Sequence, residues 1–168
     1  MKAFKSLLFV LAAFLSANGY SQSDSVQIFP KYTGWVNDFE NILTDEQETE
    51  LAETIAAFNL ETGVEIAIVT LAPGDMIIND LQAYSLALAQ HWGVGQKDRN
   101  NGVLIAISKG KREIRIQNGL GIENVMSDAE TKKIIDLYFI PGFKKGDYFA
   151  GTKSGLEQII AFLDKAMK

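Results

Sequence analysis

The chain has 168 residues, 47% of them apolar and 22% charged, with three prolines, which is the composition of one globular domain rather than of a disordered or repetitive chain. A formal net charge of −5, from 21 acidic against 16 basic side chains, argues against nucleic acid and anionic membrane surfaces as partners and leaves cations as reasonable ones. Cysteine is absent and His91 is the single histidine, which excludes disulfides, thiolate nucleophiles and multi-histidine zinc or copper sites within one chain.

Met1 to Lys5 carries two lysines, Leu7 to Leu15 is a short apolar core, and Gly19-Tyr20-Ser21 puts small residues at the −3 and −1 positions. This is the anatomy of a secretory signal peptide over residues 1–21, cleaved near Ser21 to give an exported, periplasmic or secreted product. The apolar core falls short of the roughly 20 residues that span a bilayer. No later stretch approaches that length, so the mature chain is expected to carry no transmembrane segment. Cleavage would remove Lys2 and Lys5 and no acid, leaving 14 basic against 21 acidic side chains, a net charge of −7.

Residues 22–35 read as an extended lead and 36–168 as the folded domain. Val36-Asn37-Asp38-Phe39 fits either a short strand or a pinned loop. Thr44-Asp45-Glu46-Gln47 is a capping box that opens a helix to about Thr62. In it Leu51, Ile55 and Phe58 form one apolar stripe, and Gly63 fits the left-handed position after the last turn. Val64 to Leu71 is β-branched and almost continuously apolar, the pattern of a strand buried on both faces.

Asn79-Asp80-Leu81-Gln82 reads as a second capping box, with Leu81, Tyr84, Leu88 and Trp92 on one helix face and Gly93 ending it. A Gly-rich loop leads to Asp98, then Val103 to Ser108 is a second buried strand. After the basic turn Lys109-Gly110-Lys111, residues 112 to 117 alternate, with Ile114 and Ile116 on one side and Glu113, Arg115 and Gln117 on the other. They predict a half-exposed strand antiparallel to 103–108.

Ser127-Asp128-Ala129-Glu130 is a third capping box, whose helix Pro141 is expected to stop. Asp147 caps a last helix with Phe149, Thr152, Leu156, Ile159 or Ile160, and Leu163 inward. The order predicts a three-layer α/β/α sandwich, with a small mixed sheet, about four helices and a right-handed strand-helix-strand crossover.

The hairpin places two polar, Gly-rich loops at one end of the sheet. Asp98, Asn100, Glu123 and Asp128 would gather there, with Asp38 as a further acid. Such oxygens suit a hard cation, Ca²⁺ or Mg²⁺, and Gly102, Gly119 and Gly121 would let the backbone approach closely. The same residues also have ordinary structural uses. Asp128 sits at the first position of a capped helix, where the dipole favours an acid, and Asp98 and the asparagines are turn formers.

Neither Gly93-Val94-Gly95 nor Gly119-Leu120-Gly121 completes a phosphate-binding motif. His91, at a helix C-terminus, reads as a packed or dipole-paired side chain, with no serine standing out as its nucleophile. Lys109, Lys111 and Arg112, and Lys144-Lys145, read as solvated turns, with a phosphate or partner contact as the other reading.

In order and spacing the segments V-N-D-F, T-G-V-E-I-A-I-V-T, H-W-G-V-G, N-N-G-V-L-I-A-I-S, R-I-Q-N-G-L-G-I-E, S-D-A and P-G-F-K-K-G-D-Y resemble the TPM domain family, across about Val36 to Leu163. That family is named for thylakoid-lumen, photosystem-associated and acetylcholine-receptor-modulating members. The resemblance implies a Rossmann-like sandwich, export, and a divalent cation at acidic end loops. It also implies an accessory or assembly role beside a membrane-associated protein complex. The alternative it implies is a metal-dependent acid phosphatase acting on phosphomonoesters. Asp38, Glu123 and Asp128 match the family's acidic pattern. Asn100 stands where the family usually has Asp, keeping an oxygen ligand but dropping a charge that Asp98, two residues earlier, offers in its place.

Overall fold

The computed structural model describes residues 29–76 and 80–167. The signal peptide expected over 1–21 lies outside the described residues, as does the lead up to residue 28. Four strands form one sheet in the order β1-β2-β3-β4: β1 (Val36–Asp38), β2 (Glu65–Thr70), β3 (Gly102–Ser108) and β4 (Glu113–Asn118). The first three are parallel and β4 returns antiparallel to β3, with Ile105 opposite Ile116 and Ile107 opposite Ile114. The mixed sheet and the hairpin are therefore as expected, and the short stretch at 36–38 is a strand.

Side-chain alternation builds one core on each face of the sheet. Ile66, Ile68, Val103, Ile105 and Ile107 point to the face covered by helix α1 (Asp45–Thr62) and helix α6 (Tyr148–Ala166). Ala67, Val69, Leu104 and Ala106 point to the face covered by α2 (Leu81–Trp92), through Leu81, Tyr84 and Leu88. Both central strands are buried on both faces, which is why they read as nearly continuous apolar runs. The result is the three-layer α/β/α sandwich.

The two crossovers, β1 to β2 through α1 and β2 to β3 through α2, step the same way across the sheet with helices on opposite faces. They therefore have opposite hands, so one of the two departs from the right-handed rule.

The helix starts follow local chemistry. The Thr44 hydroxyl accepts from Gln47 N at 3.3 Å while the Gln47 side chain accepts from Thr44 N at 3.0 Å. In α1 Leu51, Ile55 and Phe58 are the buried stripe, each side chain contributing about 1.5–3 kcal/mol on full burial. The cap of α2 is Asp80 rather than Asn79, because the Asp80 carboxylate accepts from Gln82 N at 2.8 Å and the helix begins at Leu81. Asn79 itself lies outside the described residues.

After β4 comes a single helical turn, α3 (Leu120–Glu123), and then α4 (Asp128–Ile134), which opens on the Ser127–Glu130 capping box. Pro141 does not stop this helix. A π turn over Ile135–Phe139 precedes it, and Pro141 lies in the first turn of α5 (Ile140–Lys144). Proline lacks an N–H and its ring strikes the carbonyl four residues back, here that of Leu137. A widened turn moves that carbonyl aside without ending the helical path. Asp147 then caps α6 through Ala150 N, at 2.9 Å.

Candidate functional site

Strand direction decides which polar residues can meet. The hairpin register pairs Val103 with Asn118, so the loop before β3 and the turn after β4 share the amino-terminal edge of the parallel strands. There Gly119 N donates to Gly102 O at 2.8 Å and Gly121 N donates to Asn100 O at 3.0 Å. The approach is backbone to backbone. A Cβ on Gly119 would overlap the Asn100 carbonyl oxygen, and one on Gly121 the Arg99 carbonyl oxygen. Asn100 holds the left-handed conformation, φ 50°, which an asparagine tolerates better than most residues.

One buried and one half-buried polar side chain hold this edge in shape. The Asn101 carboxamide accepts from Gln96 N at 2.9 Å and donates to Gly63 O at 2.8 Å. The Glu65 carboxylate accepts from Gly95 N at 2.8 Å. Both groups are engaged in shaping the loop.

Around them Asp98, Asn100, Glu123 and Asp128 are all exposed, on the loop, in α3 and at the start of α4. One residue was not among the sequence candidates. Asn118, at the end of β4, donates from Nδ2 to Thr131 Oγ1 at 2.9 Å, while its Oδ1 is buried with no donor. Thr131 is one turn beyond Asp128 on α4. A buried carbonyl oxygen without a partner costs roughly 1–3 kcal/mol, unless a water or a cation meets it. Only the alternation of β4 hinted at this position, and nothing in the sequence marks an orphan oxygen.

Asp38 lies elsewhere. It ends β1 and pairs in register with Thr70, at the carboxyl edge of the parallel strands. Glu65, opposite Gly102, lies five residues earlier in β2, so roughly 17 Å of strand separates the two edges at about 3.3 Å per residue. The Asp38 carboxylate accepts from Leu43 N at 2.7 Å and from the Thr70 hydroxyl, pinning the chain as it turns toward α1. Nearby, burial first, and then the charges of Asp38 and Asp45, raise the Glu48 carboxyl above its ordinary pKa. The five candidates thus divide four and one. Among the described residues no three Asp, Glu or His side chains stand close enough to hold a metal between them. A cation at the 98–128 edge would draw on one or two carboxylates, with amide and backbone oxygens and water completing its shell. Such a donor set fits a weakly held Ca²⁺ or Mg²⁺.

His91 is exposed, with its ring centroid 4.8 Å from that of Phe29, the packed arrangement expected of it. No helix among the described residues is long and apolar enough to cross a membrane.

A TPM domain profile matches residues 36–162 of the chain. Among solved structures, the chain is similar to the N-terminal domain of a protein from P. gingivalis, with 33% identity and a TM-score of 0.71 over 79% of this chain and 83% of that one. It is also similar to the BA42 protein of the psychrophilic bacterium Bizionia argentinensis, with 24% identity and a TM-score of 0.65 over 76% and 86% of the two chains. The N-terminal domain of a Corynebacterium glutamicum protein shares the fold at 17% identity, with a TM-score of 0.60 over 80% and 83%. No curated protein matches the chain.

Proposed function

The chain belongs to the TPM domain family, and from that premise we propose that it is an exported binding module that takes Ca²⁺ or Mg²⁺ weakly at the 98–128 edge. Asp98, Asn100, Glu123 and Asp128 are the candidate side-chain ligands, with Asn118 Oδ1 as an inner oxygen. Asp38 is left out, because its carboxylate is engaged at the other edge of the sheet. The observation that carries this reading is the orphaned Asn118 oxygen beside two loops joined by the bond from Gly121 N to Asn100 O.

With few carboxylates available, affinity should fall in the range of exposed extracellular sites, about 10⁻⁴–10⁻³ M. Binding at such an edge would tie the loop, the hairpin end and α4 together, which suits an accessory or assembly role beside a larger, membrane-associated complex.

Melting with calcium and with chelator tests the proposal. A ligand of the folded state raises stability by about 2.7 kcal/mol at 100 times its Kd, which is 10 mM calcium for a Kd of about 10⁻⁴ M. In a domain of this size that is a rise of roughly 5 °C or more. Identical melting curves, together with unmoved amide signals at 98–102 and 118–128, would remove the cation from this edge. The acid phosphatase alternative has its own test: turnover of a phosphomonoester should vanish in Asp128→Asn and with chelator, and activity that survives both belongs to something else.

A further inference from the structure

The opposite edge of the sheet carries a second feature, independent of the cation reading. A cleft of about 1040 Å³ opens at the carboxyl ends of the parallel strands. This is where open α/β sheets place their ligands. Phe39, Phe143 and Tyr148 supply apolar surface, and the Phe143 and Tyr148 rings stack with centroids 4.8 Å apart. Lys109, Arg112 and Lys144 supply charge, all three exposed. Lys109 Nζ lies 5.8 Å from the centroid of the Tyr148 ring.

The local charge runs against that of the whole chain. In a protein of net charge −5, three cations meet here, and none of them is in an ion pair among the described residues. The acids lining the same cleft are Glu40 and Glu113. Glu40 is already engaged, since its carboxylate accepts from Lys109 N at 2.7 Å and from Gly110 N at 3.1 Å. These two bonds hold the hairpin tip at the cleft.

One wall of the cleft is the free edge of the sheet. Gly119 N bonds to Gly102 O across the hairpin, so alternate residues of β4 turn their backbone toward β3 and those between turn it outward. Ile114, which lines the cleft, is one of the outward residues. Its carbonyl accepts from Arg115 Nη1 at 2.9 Å, and by the same register its N–H points away from β3. An apolar floor, a cationic rim and an outward strand N–H together match an extended chain better than a compact anion. The volume also lies at the top of the range for small-molecule pockets, about 300–1,000 Å³.

We propose that this cleft binds an extended acidic peptide segment of a partner protein. An aromatic or aliphatic side chain of that segment would rest on Phe143 and Tyr148. Its carboxylates would meet Lys109, Arg112 and Lys144, and one of its carbonyls would accept from Ile114 N, adding to the edge of β4.

The probe is a fluorescein-labelled peptide of about eight residues alternating Glu and Phe, the length of a typical strand. Binding should saturate and should weaken about tenfold in the Arg112→Gln, Lys144→Gln double variant, as expected when two complementary charges are lost. Amide shifts should fall on 39–42, 109–114 and 143–148, and exchange of the Ile114 amide should slow when the peptide is bound. If the double variant fails to fold, Lys144→Gln alone, at an exposed helix end, should show a smaller loss in the same direction. The proposal is overturned by no binding at millimolar peptide, by equal binding of a Lys/Phe counterpart, or by full affinity in the variant. Phenyl phosphate that binds at the same amides more tightly than the peptide, with the Ile114 amide left unprotected, would also overturn it, in favour of a small-molecule site.

Discussion

Gly121 donates its backbone N–H to the carbonyl of Asn100 at 3.0 Å, and through that bond the turn after β4 lies directly on the loop before β3. The contact leaves no room for a side chain, since a Cβ on Gly121 would overlap the Arg99 carbonyl oxygen. Backbone cannot swing away as a flexible side chain can. Gly121→Ala should therefore cost about 1–3 kcal/mol, the range for overpacking at a closed contact. Chemical unfolding at constant m-value reads the loss. If the edge binds calcium, the same variant should also blunt the calcium-induced rise in melting temperature. A variant as stable as the parent would show that this contact yields.

Two aspartates of similar sequence promise should part company. Asp38→Asn keeps one acceptor oxygen but puts an N–H donor where Leu43 N or the Thr70 hydroxyl now finds a carboxylate. It should lose about 1–3 kcal/mol of stability, the cost of leaving a partly buried donor unmet, and should leave the calcium titration unchanged. Asp128→Asn leaves the Ser127–Glu130 capping box intact and gives up only the dipole interaction of an exposed acid, about 0.3–1 kcal/mol. It should nonetheless weaken the calcium response. The reverse pattern, with Asp38 controlling calcium and Asp128 not, would move the cation to the other edge.

That division also shows what the sequence made legible. The capping boxes at Thr44 and Ser127 were readable because both halves of each lie within three residues. The hairpin was readable because alternation in 113–117 contrasts with the solid apolar run before it. The edge on which Asp38 lies is not legible, because a three-residue strand has almost no pattern of its own. Its direction follows from parallel pairing with β2, a relationship across 32 residues. Pro141 reads as a stop because the π turn that accommodates it leaves no mark in the apolar spacing. Asn118 carries no mark in the sequence, since a missing donor is a property of packing.

Tyr84 is fully buried between α2 and the sheet, and its hydroxyl has no hydrogen-bond partner among the described residues. Tyr84→Phe removes that unmet group and keeps the ring contact with Phe29, at a centroid separation of 5.5 Å. At neutral pH the variant should be as stable as the parent or more so, by up to about 1 kcal/mol. At alkaline pH the two should diverge. Burial, and then the charge of Asp75, raise the Tyr84 pKa above 10.0. The unfolded chain therefore releases the proton first, and the parent loses stability as pH rises from about 10 toward the folded-state value. Tyr32 is raised in the same direction and remains in both proteins, so the variant keeps part of the slope. Stability curves that stay parallel above pH 10 would show that burial does not raise the Tyr84 pKa, and a neutral-pH loss beyond about 1 kcal/mol would show that the hydroxyl has a partner.

The π turn carries a packing consequence that a double-mutant cycle can measure. Phe139 closes that turn and is completely buried, with its ring against the backbone of Gly155 in α6. A Cβ on Gly155 would overlap the ring itself, so the helix can pass over Phe139 only where a side chain is missing. Gly151, one turn earlier, meets the Phe139 carbonyl and the Phe143 ring in the same way. Alanine is the better helix former by about 1 kcal/mol, so propensity alone would make Gly155→Ala stabilising. The overlap should win, giving a net loss of about 1–3 kcal/mol. Phe139→Leu alone should also destabilise, by leaving a cavity beneath α6. Together the two should cost less than their sum by about 0.5–3 kcal/mol, because the smaller side chain vacates the space the new methyl needs. Additive losses would mean that Gly155 is required by something other than the Phe139 ring, and the π turn would then lose its role in seating that ring against α6.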